Sequence, residues 1–130
     1  MRSKTLRVMV AALVLLAGAG VLGFAEYDKA AMQKVMQNNA AQYPKLSAAA
    51  NGAKYMEAAG YLLSIAQGMY SIKDYSPNKG EKAAWDETIG AFLKAAFRGL
   101  AACAAEDQNA LKAAVAELAQ DRNQGHASFR

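Results

Sequence analysis

The 130-residue chain carries one histidine, one cysteine, and 15 Lys and Arg against 11 Asp and Glu. A lone cysteine excludes an intramolecular disulfide, and a lone histidine excludes a two-histidine metal box. Three of the 15 basic residues (Arg2, Lys4, Arg7) sit at the extreme N-terminus, so the rest of the chain holds 12 basic against 11 acidic residues and lacks the basic stripe of a nucleic-acid binder.

Those three basic residues form the n-region of a secretory signal. Residues 8–22 are apolar, loosened by Gly18 and Gly20, and Gly23-Phe24-Ala25 is a small-x-small cleavage site. The run is shorter than the roughly 18 residues expected of a spanning helix. The expectation is a signal peptide over 1–25, a mature domain over 26–130, and a periplasmic or otherwise exported protein with no membrane association after cleavage. No cysteine follows the run, which argues against a lipoprotein.

The mature part is Ala-rich and shows no period-two strand pattern, the composition of an all-α bundle. A first helix is expected from about Tyr27 to Gln42, with Ala31, Met32, Val35, Met36, Ala40 and Tyr43 on its apolar side. Tyr43-Pro44 is expected to end it, because the residue before proline is pushed out of the helical region. A second helix is expected from an N-cap near Ser47 to about Ile72. Its apolar set, including Tyr55, Met56, Leu62, Leu63, Ile65, Met69 and Tyr70, covers more than one stripe and implies two helical neighbours. Gly60 and Gly68 each weaken this helix by about 1 kcal/mol against Ala, and either one can allow close backbone approach.

Residues 73–81 form the longest connection. The third helix is expected from about Lys82 to Ala105, with Trp85, Ile89, Phe92, Leu93, Ala96, Phe97, Leu100 and Cys103 at helical spacing. A tight turn at Glu106-Asp107-Gln108 leads to a fourth, where Leu111, Val115, Leu118, Arg122, Gly125, His126 and Phe129 share a face. Four helices joined by two short turns and one longer middle loop predict an antiparallel up-down-up-down four-helix bundle. Val35, Leu62, Trp85, Phe92, Leu100 and Leu118 are expected in its core. Cys103 is expected to act as a small buried hydrophobe. Asp86 and Glu87 are adjacent and point apart, so they make no carboxylate dyad. With no glycine-rich phosphate loop either, the sequence points away from an enzyme.

The chemistry-bearing residue is His126, in Arg122-Asn123-Gln124-Gly125-His126-Ala127-Ser128-Phe129-Arg130. Neutral imidazole is the commonest protein ligand for transition metals and haem iron. This ending resembles that of the class II c-type cytochromes, the cytochrome c-prime family, which close with Cys-x-x-Cys-His-x-x-Phe/Tyr-Arg. His126, Phe129 and Arg130 fall in register, while Arg122 and Gly125 stand at the two cysteine positions. It also resembles the cytochrome b-562 ending, Arg-Asn-x-x-His-x-x-Tyr-Arg, at Arg122, Asn123, His126 and Arg130, with Phe129 for Tyr. The Trp85 and Phe92 pair after a Pro-containing loop, and the Ala-rich stretch from Ala104 to Ala114, are similar to the third helix and final hairpin of cytochrome c-prime.

The resemblance implies an exported electron-transfer protein holding haem. Without the two thiols, covalent attachment in the usual form is excluded, so the haem would be a non-covalent b-haem. The resemblance further implies His126 as one axial ligand and Met32, seventh residue after the expected cleavage, as the other. Met36, one turn on, is the reserve. Met plus His leaves no open iron position, which suits electron transfer. If neither Met ligates, the iron would be five-coordinate and able to take a small gas. Arg122 and Arg130 are implied as partners of the haem propionates, Gly125 as room beside the porphyrin edge, and Phe129, the matching aromatic, as a further cofactor-binding residue. The alternative is a haem-free exported bundle serving as a binding or stress-response module. The sequence names no redox partner and allows a monomer or a homodimer.

Overall fold

The computed structural model describes residues 26–130. The expected signal segment and its cleavage site lie outside the described residues. Four α-helices follow one another: α1 Lys29–Asn51, α2 Tyr55–Ser71, α3 Lys82–Ala104 and α4 Gln108–Phe129. Consecutive helices pack together, and α4 closes the ring against α1. The result is a four-helix bundle, with no strand among the described residues.

Two helices start on aspartate caps. Asp28 Oδ1 accepts from the Ala31 N–H at 3.0 Å and Asp107 Oδ1 from the Ala110 N–H at 3.0 Å, each satisfying one orphan donor of a first turn. Both tight turns reverse the chain through a left-handed residue, Ala53 (φ 52°) and Glu106 (φ 52°). The returning bonds, Lys54 N–H to the Ala49 carbonyl at 2.9 Å and Asp107 N–H to the Ala102 carbonyl at 2.9 Å, are the six-to-one bonds of a Schellman ending. Neither turn uses the glycine that this conformation favours.

Helix α1 does not end at Pro44. It runs through the proline to Asn51, and Ser47 is an exposed residue of α1 rather than the cap of α2. An internal proline costs about 3 kcal/mol, through a lost hydrogen bond and a clash with the carbonyl four residues back. Here Pro44 and Ala40 are both exposed, so water can reach the freed Ala40 carbonyl. The continuation buries Leu46, Ala49 and Ala50. Burying one leucine side chain alone is worth about 1.5–3 kcal/mol, so stopping at Tyr43 would forfeit more than the proline costs. Helix α2 accordingly begins at Tyr55, after the turn at 52–54.

The core runs the length of the bundle. Leu46, Leu62, Ile65, Ile72, Leu111 and Leu118 are its largest fully buried side chains, and Trp85, Ile89 and Phe92 fill one end. Val35 and Leu100 pack against this core half-buried. The expected apolar faces of α2 and α3 were drawn too wide: Met56, Leu63, Tyr70 and Phe97 are exposed, and Ala40 on α1 is exposed as well. Of the two α2 glycines, a Cβ at Gly60 would meet nothing within 4 Å, whereas one at Gly68 would stand 3.2 Å from Asn39 Oδ1 and 3.3 Å from Val35 Cγ1. Close approach of α1 to α2 therefore uses Gly68. The tightest approach is at Gly99 on α3, where a Cβ would lie 2.9 Å from Leu62 Cδ1.

Polar ties fix the ends. Gln108 Nε2, at the start of α4, donates to the Ala50 carbonyl at 3.2 Å and the Asn51 carbonyl at 3.0 Å, covering the last turn of α1. Gln42 Nε2 donates to Ser64 Oγ at 2.9 Å across α1 and α2. On the surface, Lys82 pairs with Asp86 one turn later, and Arg98 joins α3 to Glu117 on α4.

Candidate functional site

A cavity of about 640 Å³ opens between the N-terminal half of α1, the start of α3 and the last turns of α4. That size falls within the range of about 300–1,000 Å³ usual for cofactor and small-ligand sites. Its apolar walls come from Met32 and Met36 on α1, Met69 on α2, Trp85, Ile89 and Phe92 on α3, and Phe129 on α4. Spacings of three and four residues put these side chains on one face of each helix.

Each residue that the resemblance implies for haem lines this cavity: Met32, Arg122, Gly125, His126, Phe129 and Arg130, with Met36 beside them. Met32 is buried and Met36 half-buried. Phe129 is buried and stands edge-on to Trp85, with ring centroids 5.2 Å apart and planes at 89°. Its ring also covers Gly80 in the middle loop, where φ is 88° and a Cβ would lie 3.0 Å from Phe129 Cδ1. A Cβ at Gly125 would sit 3.7 Å from Thr88 Cγ2, an ordinary contact, so no steric need for glycine arises there.

The electrostatics favour a neutral imidazole. Burial holds the His126 pKa below its ordinary value, and the charges of Arg130 and Arg122 push it further down. A neutral ring keeps a lone pair for a metal. The Arg122 guanidinium lies over the Tyr43 ring, 4.5 Å from its centroid. Burial pushes the Tyr43 phenol up to about 12, with Arg122 lowering it and Asp121 raising it. Asp121 is raised too, first by burial and then by Glu117, against the lowering effect of Arg98.

Sequence reasoning passed over Asn39 and Asp121, both of which line the cavity. Asn39 is 2% exposed, the one buried polar residue among the described residues. It lies seven residues after Met32 and three after Met36, so the helical spacing that picked out the methionines would also have found it. Asn39 Oδ1, Trp85 Nε1 and Asp121 Oδ2 are buried without a hydrogen-bond partner, and all three belong to cavity residues. An unsatisfied buried group costs about 1–3 kcal/mol. Their concentration in one place is a mark of a binding site rather than of a finished core.

Cys103 is buried on α3, its thiol raised by burial, and is not among the cavity residues. Among the described residues no three of His, Cys, Asp and Glu group as ligands for a metal ion. A bare transition metal would find one imidazole, thioethers and the Asp121 carboxylate along the cavity wall, and these side chains do not group as the ligand set that such ions commonly require. A macrocycle that brings its own four nitrogens needs only the axial pair. Comparison with known proteins finds no matching family model, no matching curated sequence and no matching solved structure.

Proposed function

We propose that this chain is an exported haem-binding protein of one-electron transfer, holding b-haem non-covalently between α1 and α4. One observation carries the reading: Met32 and His126, far apart in sequence, line a single largely apolar cavity together with Arg122 and Arg130. The donor set fits the group, with a thioether and an imidazole for iron, aromatic and aliphatic walls for the macrocycle, and guanidinium groups for its carboxylates. The short turns and the α1–α4 contact support an up-down-up-down order, in which first and last helices are neighbours.

In this reading His126, kept neutral by burial and by its arginines, and Met32 would hold the haem iron, through an imidazole nitrogen and a thioether sulfur. Met36 is the reserve. Haem, when bound, would supply one-electron redox chemistry at its iron. Trp85, Phe92 and Phe129 would keep water from the macrocycle, and Arg122 and Arg130 would pair with its carboxylates.

The test is an absorption spectrum of purified protein titrated with haemin, oxidised and reduced. A low-spin spectrum removable by acid-acetone supports the reading. His126→Ala should abolish it, and Met32→Ala should leave haem five-coordinate or weakly held. Unchanged spectra in both variants would reject the ligand pair, and a change only in Met36→Ala would move the second ligand to Met36. No uptake in either oxidation state selects a haem-free bundle that uses the cavity for another ligand.

A further inference from the structure

Three of the four methionines among the described residues, Met32, Met36 and Met69, line the same cavity as His126. Contacts elsewhere in the bundle set their heights. Gln108 Nε2 bonds to the Ala50 and Asn51 carbonyls at the far end, and Arg122 meets Tyr43 further along, so α1 and α4 run in opposite directions. From Gln108 on to His126 is eighteen residues, and from Ala50 back to Met32 is eighteen. Equal rise per residue therefore brings Met32 and His126 level. Met36 follows Met32 by one turn on the same face, with about 5–6 Å between Cβ atoms. Across the seam between α1 and α2, a Cβ at Gly68 would meet Asn39 Oδ1 at 3.2 Å and Val35 Cγ1 at 3.3 Å. In two antiparallel helices the residue after each contact turns to the same side of the seam. Met36, after Val35, and Met69, after Gly68, thus stand together on the cavity side.

We infer that Met32, Met36, Met69 and His126 form a copper(I) site in the haem-free protein. Thioether sulfur is a soft donor and selects copper(I). Copper(I) is a filled-shell ion that accepts few ligands in no fixed geometry. It needs none of the grouped His, Cys, Asp and Glu ligands that the described residues lack. Methionine is also a good filler of irregular gaps. Filling a gap does not call for an imidazole at the same height, and here three thioethers gather beside the one histidine of the chain.

Charge favours a monovalent ion. The charges of Arg122 and Arg130 reach His126, and they oppose a divalent cation about twice as strongly as a monovalent one. Asp121 on the same wall offsets part of that charge. Met32 and His126 would serve either copper(I) or haem iron, so the two are held one at a time. Met69 belongs to the copper site alone, and copper binding stands or falls separately from haem binding.

The test is an anaerobic titration of purified haem-free protein with copper(I), in competition with the chromophoric chelator bicinchoninate. The protein should withdraw copper(I) from the chelator and bind zinc(II) more weakly. Silver(I), a redox-inert stand-in, should quench the fluorescence of Trp85, the sole tryptophan of the chain, which shares the cavity wall. Met36→Leu and Met69→Leu conserve volume and should leave the circular dichroism spectrum unchanged. Each should weaken copper(I) by about tenfold or more, since even an outer-shell partner of a metal ligand is worth that much. Met56→Leu, at an exposed methionine outside the cavity, should bind as wild type does. The titration uses no haem, so its outcome is independent of haemin uptake. No withdrawal of copper(I) from the chelator, Met69→Leu binding as tightly as Met56→Leu, or tighter binding of zinc(II) than of copper(I) would each overturn the proposal.

Discussion

The Arg122 guanidinium sits 4.5 Å from the centroid of the Tyr43 ring, joining the last turns of α4 to α1 in the wall of the cavity. Among the described residues no carboxylate forms an ion pair with Arg122. The half-buried cation is thus held by an aromatic face and left with its hydrogen-bond donors uncommitted, the condition of a group that can receive an anion.

Tyr43 makes this contact testable through pH. Its phenol is pushed from the ordinary 10.0 up to about 12, mainly by burial. Above pH 10 the unfolded chain ionises this tyrosine while the folded chain resists. The stability it contributes is therefore present below pH 10 and is lost as pH rises toward about 12. Denaturant midpoints of wild type should fall over that window, and those of Tyr43→Phe should fall less. Equal alkaline sensitivity in both would show that the ring is not held as described.

A single histidine gives an unobstructed proton titration. Burial, Arg130 and Arg122 all lower His126 from 6.5. The imidazole signal of haem-free protein should titrate with a midpoint below 6.5, and Arg130→Gln should move it upward. The sign for stability is opposite to that of Tyr43. The contribution is present above pH 6.5 and is lost as pH falls through the folded value, because the unfolded chain takes the proton first. A midpoint at or above 6.5 would contradict the burial of this ring beside two arginines.

Three backbone sites should respond with different signs. Gly60→Ala adds a methyl into open space and should stabilise by up to about 1 kcal/mol. Gly99→Ala drives a Cβ to 2.9 Å from Leu62 and should destabilise by about 1–3 kcal/mol. Ala53→Gly relieves a left-handed alanine and should stabilise by about 1 kcal/mol. Urea denaturation of the three variants checks the set, and a stabilising Gly99→Ala would mean that α2 and α3 are not pressed together there.

Asn39→Leu separates a ligand-directed polar group from a packing one. Removing a buried acceptor without a partner should raise the melting temperature of the ligand-free protein. If the amide serves a bound molecule, haemin affinity should fall in the same variant. Leu118→Ala is the ordinary comparison: at 0% exposure it should cost about 2–5 kcal/mol, whereas Phe97→Ala, at 57% exposure, should cost little.

Much of this protein follows from local spacing. Residues at intervals of three and four along α1, α3 and α4 put Met32, Trp85, Phe92, Leu118, His126 and Phe129 on inward faces, and the bundle and the membership of the cavity follow. The caps at Asp107 and the turn before Gln108 are equally local, since a carboxylate that accepts from an N–H three residues on needs no distant partner. Pro44 shows where local rules stop. Its cost is intrinsic, but the burial of Leu46, Ala49 and Ala50 that outweighs it exists only once α2, α3 and α4 are in place. The exposed stripe of α2 has the same origin: Met56, Leu63 and Tyr70 are as apolar as the residues buried beside them, and only the placement of the neighbouring helices leaves one side of α2 uncovered. Asn39 and Asp121 read as ordinary polar residues of amphipathic helices. Their unsatisfied atoms come into being when the tertiary packing removes water from around them without supplying a partner, and that desolvation is a property of the assembled bundle.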